Sequence, residues 1–255
     1  MSKLAIVTGV GRSEGIGAAV CRELAQEGIH LLFTYWGSYD HEVYGQSEEA
    51  WSTRFQTELC SYGVVSKGIE VDLSHPDAYA SILTEATEMG EPTILINNAT
   101  VSIETNYESL TAAMLDRHYE VNMRSTFLLS CEFAKFLKEK ELRDGRIINF
   151  TSGQDQGPMP NHLAYAATKG AVSAFTSSLS IEVAHFGCTV NAINPGPTDT
   201  GWMTEEMKEH LQLKFAMGRV GEPADAARLV GFLVRPESSW ITGQVLHSEG
   251  GYQRS

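Results

Sequence analysis

Cysteine is sparse in this chain and never closely spaced. There are four in 255 residues, at Cys21, Cys60, Cys131 and Cys188, with no CxxC pair. That excludes a disulfide-stapled fold and a thiolate zinc site, and the reading is of buried or partly buried thiols in a reducing cytoplasm, with no metal. Basic residues are few as well: 19 Lys and Arg stand against 32 Asp and Glu, a net charge of −13. A nucleic-acid footprint is thereby excluded, while the acidic excess speaks for solubility and says little about a substrate. No apolar run approaches the ~20 residues of a membrane helix, and no signal-peptide pattern opens the chain. Linkers rich in Pro, Gly and Ser, internal repeats and low-complexity tracts are also missing, so residues 1–255 are expected to form one domain.

What is present begins with a short apolar run at residues 4–7, as in a parallel strand covered on both faces. The sequence Thr8-Gly9-Val10-Gly11-Arg12-Ser13-Glu14-Gly15-Ile16-Gly17 follows, and residues 18–27 then read as a helix stopped by Gly28. A strand, a glycine turn and a helix make a phosphate cradle: glycines let the backbone approach a pyrophosphate, and the helix start offers free N–H groups and positive dipole. A second strand, 29–34, ends at Thr34-Tyr35-Trp36-Gly37 with no carboxylate before Asp40. In dinucleotide-binding folds an acidic residue at that end selects NAD. Its absence, with Arg12 in the glycine loop, points to NADP(H) over NAD(H), a guanidinium being suited to a 2′-phosphate; the plainer reading of Arg12 is a solvated loop charge. NAD(H) is not excluded. Residues 35–46 read as a long polar and aromatic connection that is mobile or covers an adenine.

Further along, residues 49–62 read as helix, 64–71 as strand, 76–89 as helix and 93–96 as a buried strand. Asp72, opening the turn Asp72-Leu73-Ser74, is placed either to accept from an adenine amino group or simply to cap the turn. Asn97-Asn98-Ala99-Thr100 closes the fourth strand, where small amides lie against a ribose or merely form a turn. Helical patterning runs through 111–140 and contains Asn122, a costly residue in a helix interior unless it has a polar role or is simply solvated. A strand at 188–194 ends in Pro195-Gly196-Pro197-Thr198-Asp199-Thr200, a rigid turn able to present backbone to a carboxamide. Residues 202–215 are amphipathic, suiting plain packing or a substrate lid within 198–217. Trp202, Met203, Met159 and Phe215 suggest an apolar pocket.

The stretch Ser152 to Lys169 holds the chemistry. Tyr165 and Lys169 stand four apart, so on a helix they share a face. A nearby ammonium favours the phenolate, lowering a pKa of ~10 toward a usable proton donor and acceptor. Ser152 follows a strand-like run at 146–151, just past the carboxyl end where open α/β sheets place ligands, and its hydroxyl could hold a substrate oxygen. A bare YxxxK is short, and an ordinary helix with an exposed lysine produces it too.

In combination these motifs resemble the single-domain branch of the short-chain dehydrogenase/reductase family, close to 3-oxoacyl-[acyl-carrier-protein] reductases. The resemblance runs along essentially the whole chain: Gly9, Gly15, Ile16 and Gly17, then Asp72, Asn97-Asn98-Ala99, Asn122, Ser152, Tyr165 with Lys169, and Pro195-Gly196, with Ser152 and Tyr165 thirteen apart as in that family. It implies a doubly wound Rossmann-type sheet of about seven mainly parallel strands. The implied chemistry is hydride exchange between NADP(H) and a carbonyl or secondary alcohol, with a 3-oxoacyl thioester, as in fatty acid biosynthesis, among the candidate substrates. Tyr165 then acts as general acid/base, Ser152 holds the oxygen, Lys169 binds ribose hydroxyls, and Asn122 holds a water linking Lys169 to solvent. Cofactor contacts fall to Gly9, Arg12, Gly15, Ile16, Gly17, Tyr35, Asp72, Leu73, Asn98, Ala99, Thr100, Tyr165, Lys169, Pro195, Gly196, Thr198 and Thr200. A homotetramer or homodimer is implied, through the helices after Thr111 and around Ala171 and through the C-terminal strand.

Two features depart from the family pattern. Five residues, 10–14, separate Thr8-Gly9 from Gly15-Ile16-Gly17, where relatives commonly have three, and Thr100 replaces the glycine usual after Asn-Asn-Ala. Two other classes share the fold: halohydrin-dehalogenase-type lyases, which carry arginine at the lysine position and lose the glycine turn, and non-catalytic nucleotide sensors, which lose the tyrosine or lysine. The intact Gly15-Ile16-Gly17, Tyr165 and Lys169 argue against both.

Overall fold

A computed structural model of the protein describes residues 3–44 and 50–254. Its elements follow in chain order as β1 (Leu4–Val7), α1 (Ile16–Gln26), β2 (His30–Tyr35), α2 (Gly37–Tyr44), α3 (Trp51–Cys60), β3 (Ser66–Glu70), α4 (Ala78–Met89) and β4 (Pro92–Asn97). After these come α5 (Ala112–His118), a π-helical segment (Tyr119–Ser125), α6 (Thr126–Glu139), β5 (Arg146–Phe150), α7 (Leu163–Val183), β6 (Thr189–Asn194), α8 (Glu205–Gln212), α9 (Pro223–Leu233) and β7 (Val245–His247).

The seven strands form one sheet in the order β3-β2-β1-β4-β5-β6-β7, every neighbouring pair parallel. Successive side chains of a strand face opposite sides, and β1 feeds two cores in this way. Ala5 and Val7 join Val20, Leu24, Phe33, Phe55 and Val230 on one face. Ile6 joins Leu32, Ile82, Leu95, Phe133 and Leu137 on the other. A strand covered on both sides needs apolar residues throughout, which is why the central strands read as runs without alternation. The strand order reverses between β1 and β4, which opens a crevice at their carboxyl ends.

Three elements differ from the sequence reading. The 111–140 stretch is broken: Thr111 caps α5 by accepting from the Met114 N–H at 3.3 Å, and the π-helical segment separates α5 from α6. Periodicity cannot show this, since one wide turn barely shifts the apolar face. Residues 37–44, read as part of a long connection, form α2. Its start is held by the Gly37 N–H donating to Glu70 Oε1 at 3.2 Å. Its body is held by Glu42, which accepts both Arg117 Nη groups of α5, at 3.0 and 2.6 Å; both contacts are long-range and invisible locally. Gln46 and Glu49, the expected ends of that connection and start of the next helix, lie outside the described residues. Finally, Cys60 is exposed, unlike the other three thiols, because it falls on the outer side of the last turn of α3.

Candidate functional site

The glycine loop is built against its neighbours before any ligand is considered. Gly9 takes φ +74°, and a Cβ there would sit 2.5 Å from Ala99 Cα. At Gly17 a Cβ would fall 2.7 Å from Asn98 Nδ2 and 2.8 Å from the Gly9 carbonyl. Backbone and amide already fill these spaces, so only hydrogen fits. The five-residue stretch 10–14 is folded and tied down. Val10 donates its N–H to Thr34 O at 2.7 Å, Trp51 Nε1 donates to Val10 O at 3.1 Å, and Arg22 donates to Ser13 O at 2.8 Å. The first turn of α1 has neither a capping side chain nor an acidic residue, leaving its N–H groups available to an anion.

Thr8 and Asn98 clasp the crevice where strand order reverses. The Asn98 and Ala99 N–H groups donate to Thr8 Oγ1 at 3.1 and 3.2 Å. Asn98 Nδ2 returns bonds to the Thr8 and Gly9 carbonyls, each at 2.9 Å. Asn97 points the other way, into a buried chain with Ser130 and Asn149.

A cavity of about 290 Å³ opens along this loop. Of the residues predicted to meet the cofactor, it is lined by Gly9, Arg12, Gly15, Ile16, Gly17, Tyr35, Asp72, Leu73, Asn98, Ala99, Thr100 and Thr200. It does not reach Pro195, Gly196, Thr198, Tyr165 or Lys169. Trp36, Tyr39 and Val71 also line it and were not singled out; their place at the carboxyl ends of β2 and β3 was the available signal. Asp72 keeps its turn role, with Oδ1 accepting from the Ser74 N–H at 2.8 Å. Arg12 donates to the Thr200 carbonyl at 3.0 Å, so it joins the glycine loop to the turn after β6. Thr198 Oγ1 bonds within its own turn, to the Pro195 and Gly196 carbonyls.

The second half of the site lies at the carboxyl end of β5. Lys169 of α7 is 3% exposed, and its ammonium donates to the Phe150 carbonyl at 2.8 Å while standing 5.5 Å from the centre of the Tyr165 ring. Burial pushes the Lys169 amine down to about 7. Burial likewise pushes the half-buried Tyr165 phenol up, partly offset by a hydrogen bond with the Ser152 side chain. In the cofactor-free protein the phenol therefore shifts upward and not downward as expected, because its own burial dominates and the neighbouring amine is itself desolvated. The outcome is a protonated phenol at neutral pH, bonded to the serine meant to share its substrate oxygen.

Asn122 is 1% exposed on the π-helical segment. Its Oδ1 accepts from the Val101 N–H at 2.8 Å and from Thr100 Oγ1 at 3.2 Å; its Nδ2 donates to Val101 O at 2.9 Å and Thr168 Oγ1 at 3.1 Å. Two lone pairs and two hydrogens are thereby used. The side chain is fully engaged, and it joins the Thr100 loop to α7 next to Tyr165.

Elsewhere, Met203 and Phe215 are buried. Phe215 packs on Tyr252, ring centres 4.9 Å apart, and so serves the tail of the chain and not a pocket. Within 198–217, Lys208 of α8 bridges Asp199 and Glu205 at 2.8 and 2.9 Å.

Comparison with known proteins now becomes informative. Residues 9–253 match the family model described as Enoyl-(Acyl carrier protein) reductase. The chain belongs to the short-chain dehydrogenase/reductase family. It is an oxidoreductase of that family, with a single-domain Rossmann-type fold. The Bacillus subtilis protein YjdA, described as an uncharacterized oxidoreductase, is 53% identical over 99% of this chain and 97% of its own. A short-chain dehydrogenase/reductase from Serratia marcescens superposes with a TM-score of 0.85 at 31% identity, covering 99% of this chain and 98% of that one. A blue fluorescent protein from a metagenomic library, solved in complex with NADPH, gives a TM-score of 0.85 at 29% identity, covering 99% and 98%. The family binds NAD(P)(H), and the glycine cradle fits such a group, because its backbone surfaces are bare where a pyrophosphate has to approach.

Lys169 generates a prediction for the cofactor-free protein. Its folded pKa of about 7 lies below the ~10.4 of an unfolded lysine. Between those values the unfolded chain holds a proton that the folded chain lacks, so stability rises with pH across that window and is flat on either side. Lys169→Met should remove this part of the slope, as measured by denaturant unfolding at pH 7, 8, 9 and 10. An unchanged slope relative to wild type would refute the desolvated amine.

Proposed function

We propose that this oxidoreductase is an NADP(H)-dependent carbonyl reductase and secondary-alcohol dehydrogenase, with Tyr165 as its general acid and base. The observation that carries the reading is the meeting of a protonated phenol, its serine partner and a buried amine at one end of a crevice whose other end is a glycine cradle. Bound NADPH supplies the hydride. In reduction, Tyr165 gives its proton to the oxygen as negative charge develops there, and Ser152 donates a hydrogen bond to the same oxygen. Lys169 holds ribose hydroxyls. A bound cofactor's hydroxyls and phosphates favour its ammonium form, which in turn favours the phenolate left after proton transfer. Orientation and electrostatics are the protein's part of the reaction.

The preference for the 2′-phosphate is supported by the cavity's adenosine end, where Thr34, Tyr35 and Trp36 close β2 without a carboxylate and Arg12 stands in the loop. A 3-oxoacyl thioester is the substrate class we favour, from the description of the matching family model and the resemblance of the motifs. A homodimer or homotetramer is the proposed assembly: Ile181 on α7 is 77% exposed, and Trp240, ahead of β7, is 97% exposed. Apolar side chains on those two elements are the kind a partner copy covers.

Oxidation of NADPH, followed by absorbance with a panel of β-ketoacyl thioesters, small ketones, sugars and steroids, tests the activity. Tyr165→Phe should lower kcat by roughly 10²–10⁴-fold, the usual contribution of a positioned acid, and leave NADPH binding unchanged. Retained turnover would remove Tyr165 from the role. Arg12→Ala should weaken NADPH by about tenfold or more, as expected for loss of a charged hydrogen bond, with little effect on NADH. Equal losses for both cofactors would overturn the preference. Sedimentation velocity should show a dimer or tetramer, and a monomer at micromolar concentration would exclude that assembly.

A further inference from the structure

The loop that follows Ser152 is held by the last residues of the chain. The Arg254 guanidinium lies directly over Gly153, where any Cβ would overlap its Nη2 and Cζ, and its Cδ and Cβ pass 3.5 and 3.6 Å from the Cβ position of Gly157. Two glycines thus form a trough filled by one side chain. Arg254 Nε donates to Gln156 Oε1 at 3.3 Å, and its Nη2 stands 3.7 Å from Glu249 Oε2.

Glu249 extends the hold to the other side of the site. It is 9% exposed, and its Oε1 accepts from Gln156 Nε2 at 2.7 Å while its Oε2 accepts from Asn194 Nδ2 at 3.0 Å. Asn194 Oδ1 in turn accepts the Gly196 N–H at 3.0 Å. His247 Nε2 lies 3.8 Å from Asp155 Oδ2 at the edge of the same loop. Gln154 in the same loop accepts the Ser152 N–H at 3.2 Å and donates to Ser173 on α7 at 3.1 Å.

We infer that Arg254 and Glu249 are positioning residues for the reaction: they lock the 153–157 loop, and with it Ser152, in register with the Pro195-Gly196 turn. The inference rests on the carbonyl-reductase reading above. A buried carboxylate that answers a glutamine, an asparagine and a guanidinium at once fixes all three relative to one another, and small displacements of a reacting group are costly to rate. A guanidinium neutralised by Glu249 and laid flat on a glycine is suited to holding this loop.

Two variants remove the guanidinium by different routes. Arg254→Ala deletes it; Gly153→Ala expels it, since the overlapping atoms belong to the end of a flexible side chain. Each should lower kcat between about 10- and 100-fold, leave NADPH affinity within about twofold, and speed amide hydrogen exchange at 153–157 without speeding it in α7. The double variant should be no worse than either single one, because both break the same contact, and Arg254→Lys should recover part of kcat. Turnover within twofold of wild type, unchanged exchange in the loop, or losses that multiply in the double variant would each overturn the inference. If wild-type protein reduces no carbonyl, it is the oxidoreductase reading of substrate that fails, and the exchange result then decides the clamp by itself.

Discussion

An amine in a place with almost no water is the constraint around which this molecule is arranged. Lys169 has been taken out of solvent with one carbonyl for company, and an unpaired buried ammonium is among the least favourable things a fold can contain. The protein tolerates it by letting the group release its proton near neutrality. Everything nearby keeps the amine in place without neutralising it. Thr151 Oγ1 bonds to the Lys169 carbonyl at 3.1 Å, and Thr168 Oγ1 bonds to the Tyr165 carbonyl at 2.8 Å. These are backbone restraints on the turn of α7 that carries both side chains.

The crevice unites two halves of the chain with different tasks. Residues before β4 contribute the glycine surfaces bare enough for a pyrophosphate, and residues after it contribute the groups we propose to move protons. Within the later half, Asn122 joins the stretch that follows β4 to α7, with its amide saturated by the Val101 backbone on one side and by Thr168 on the other. The π-helical turn is what lets a helix side chain reach that far inward, and wide turns of this kind concentrate at functional sites.

Much of this was legible in the sequence because its signals are local. The apolar run before Gly9, the bare helix start after Gly15 and the four-residue step from Tyr165 to Lys169 each depend on neighbours in the chain. The features that escaped depend on partners far away. The sequence of α2 is polar and helix-neutral, and the pairing of Glu42 with Arg117 is what gives it a place. The hydrogen bonds of the Asn122 side chain could not be read from the sequence, because they need the Val101 backbone, twenty-one residues earlier. The direction of the Tyr165 shift was misjudged for a similar reason: spacing tells which charge is near, and only burial tells whether that charge survives. Arg254 gave no sign at all, since nothing in the tail announces the trough between Gly153 and Gly157.

The sheet order has a consequence for how the molecule assembles. Thr8 and Ala99 are ninety-one residues apart, and β1 lies between β2 and β4 in the sheet. The phosphate loop is therefore unfinished until the crossover from the edge strand β3 returns β4 to the centre. Closing a loop of that length comes before any contact rewards it, which places the chain among slowly folding topologies. An amino-terminal fragment that stops short of Ala99 would hold every glycine of the cradle and still lack the wall that gives the cradle its shape.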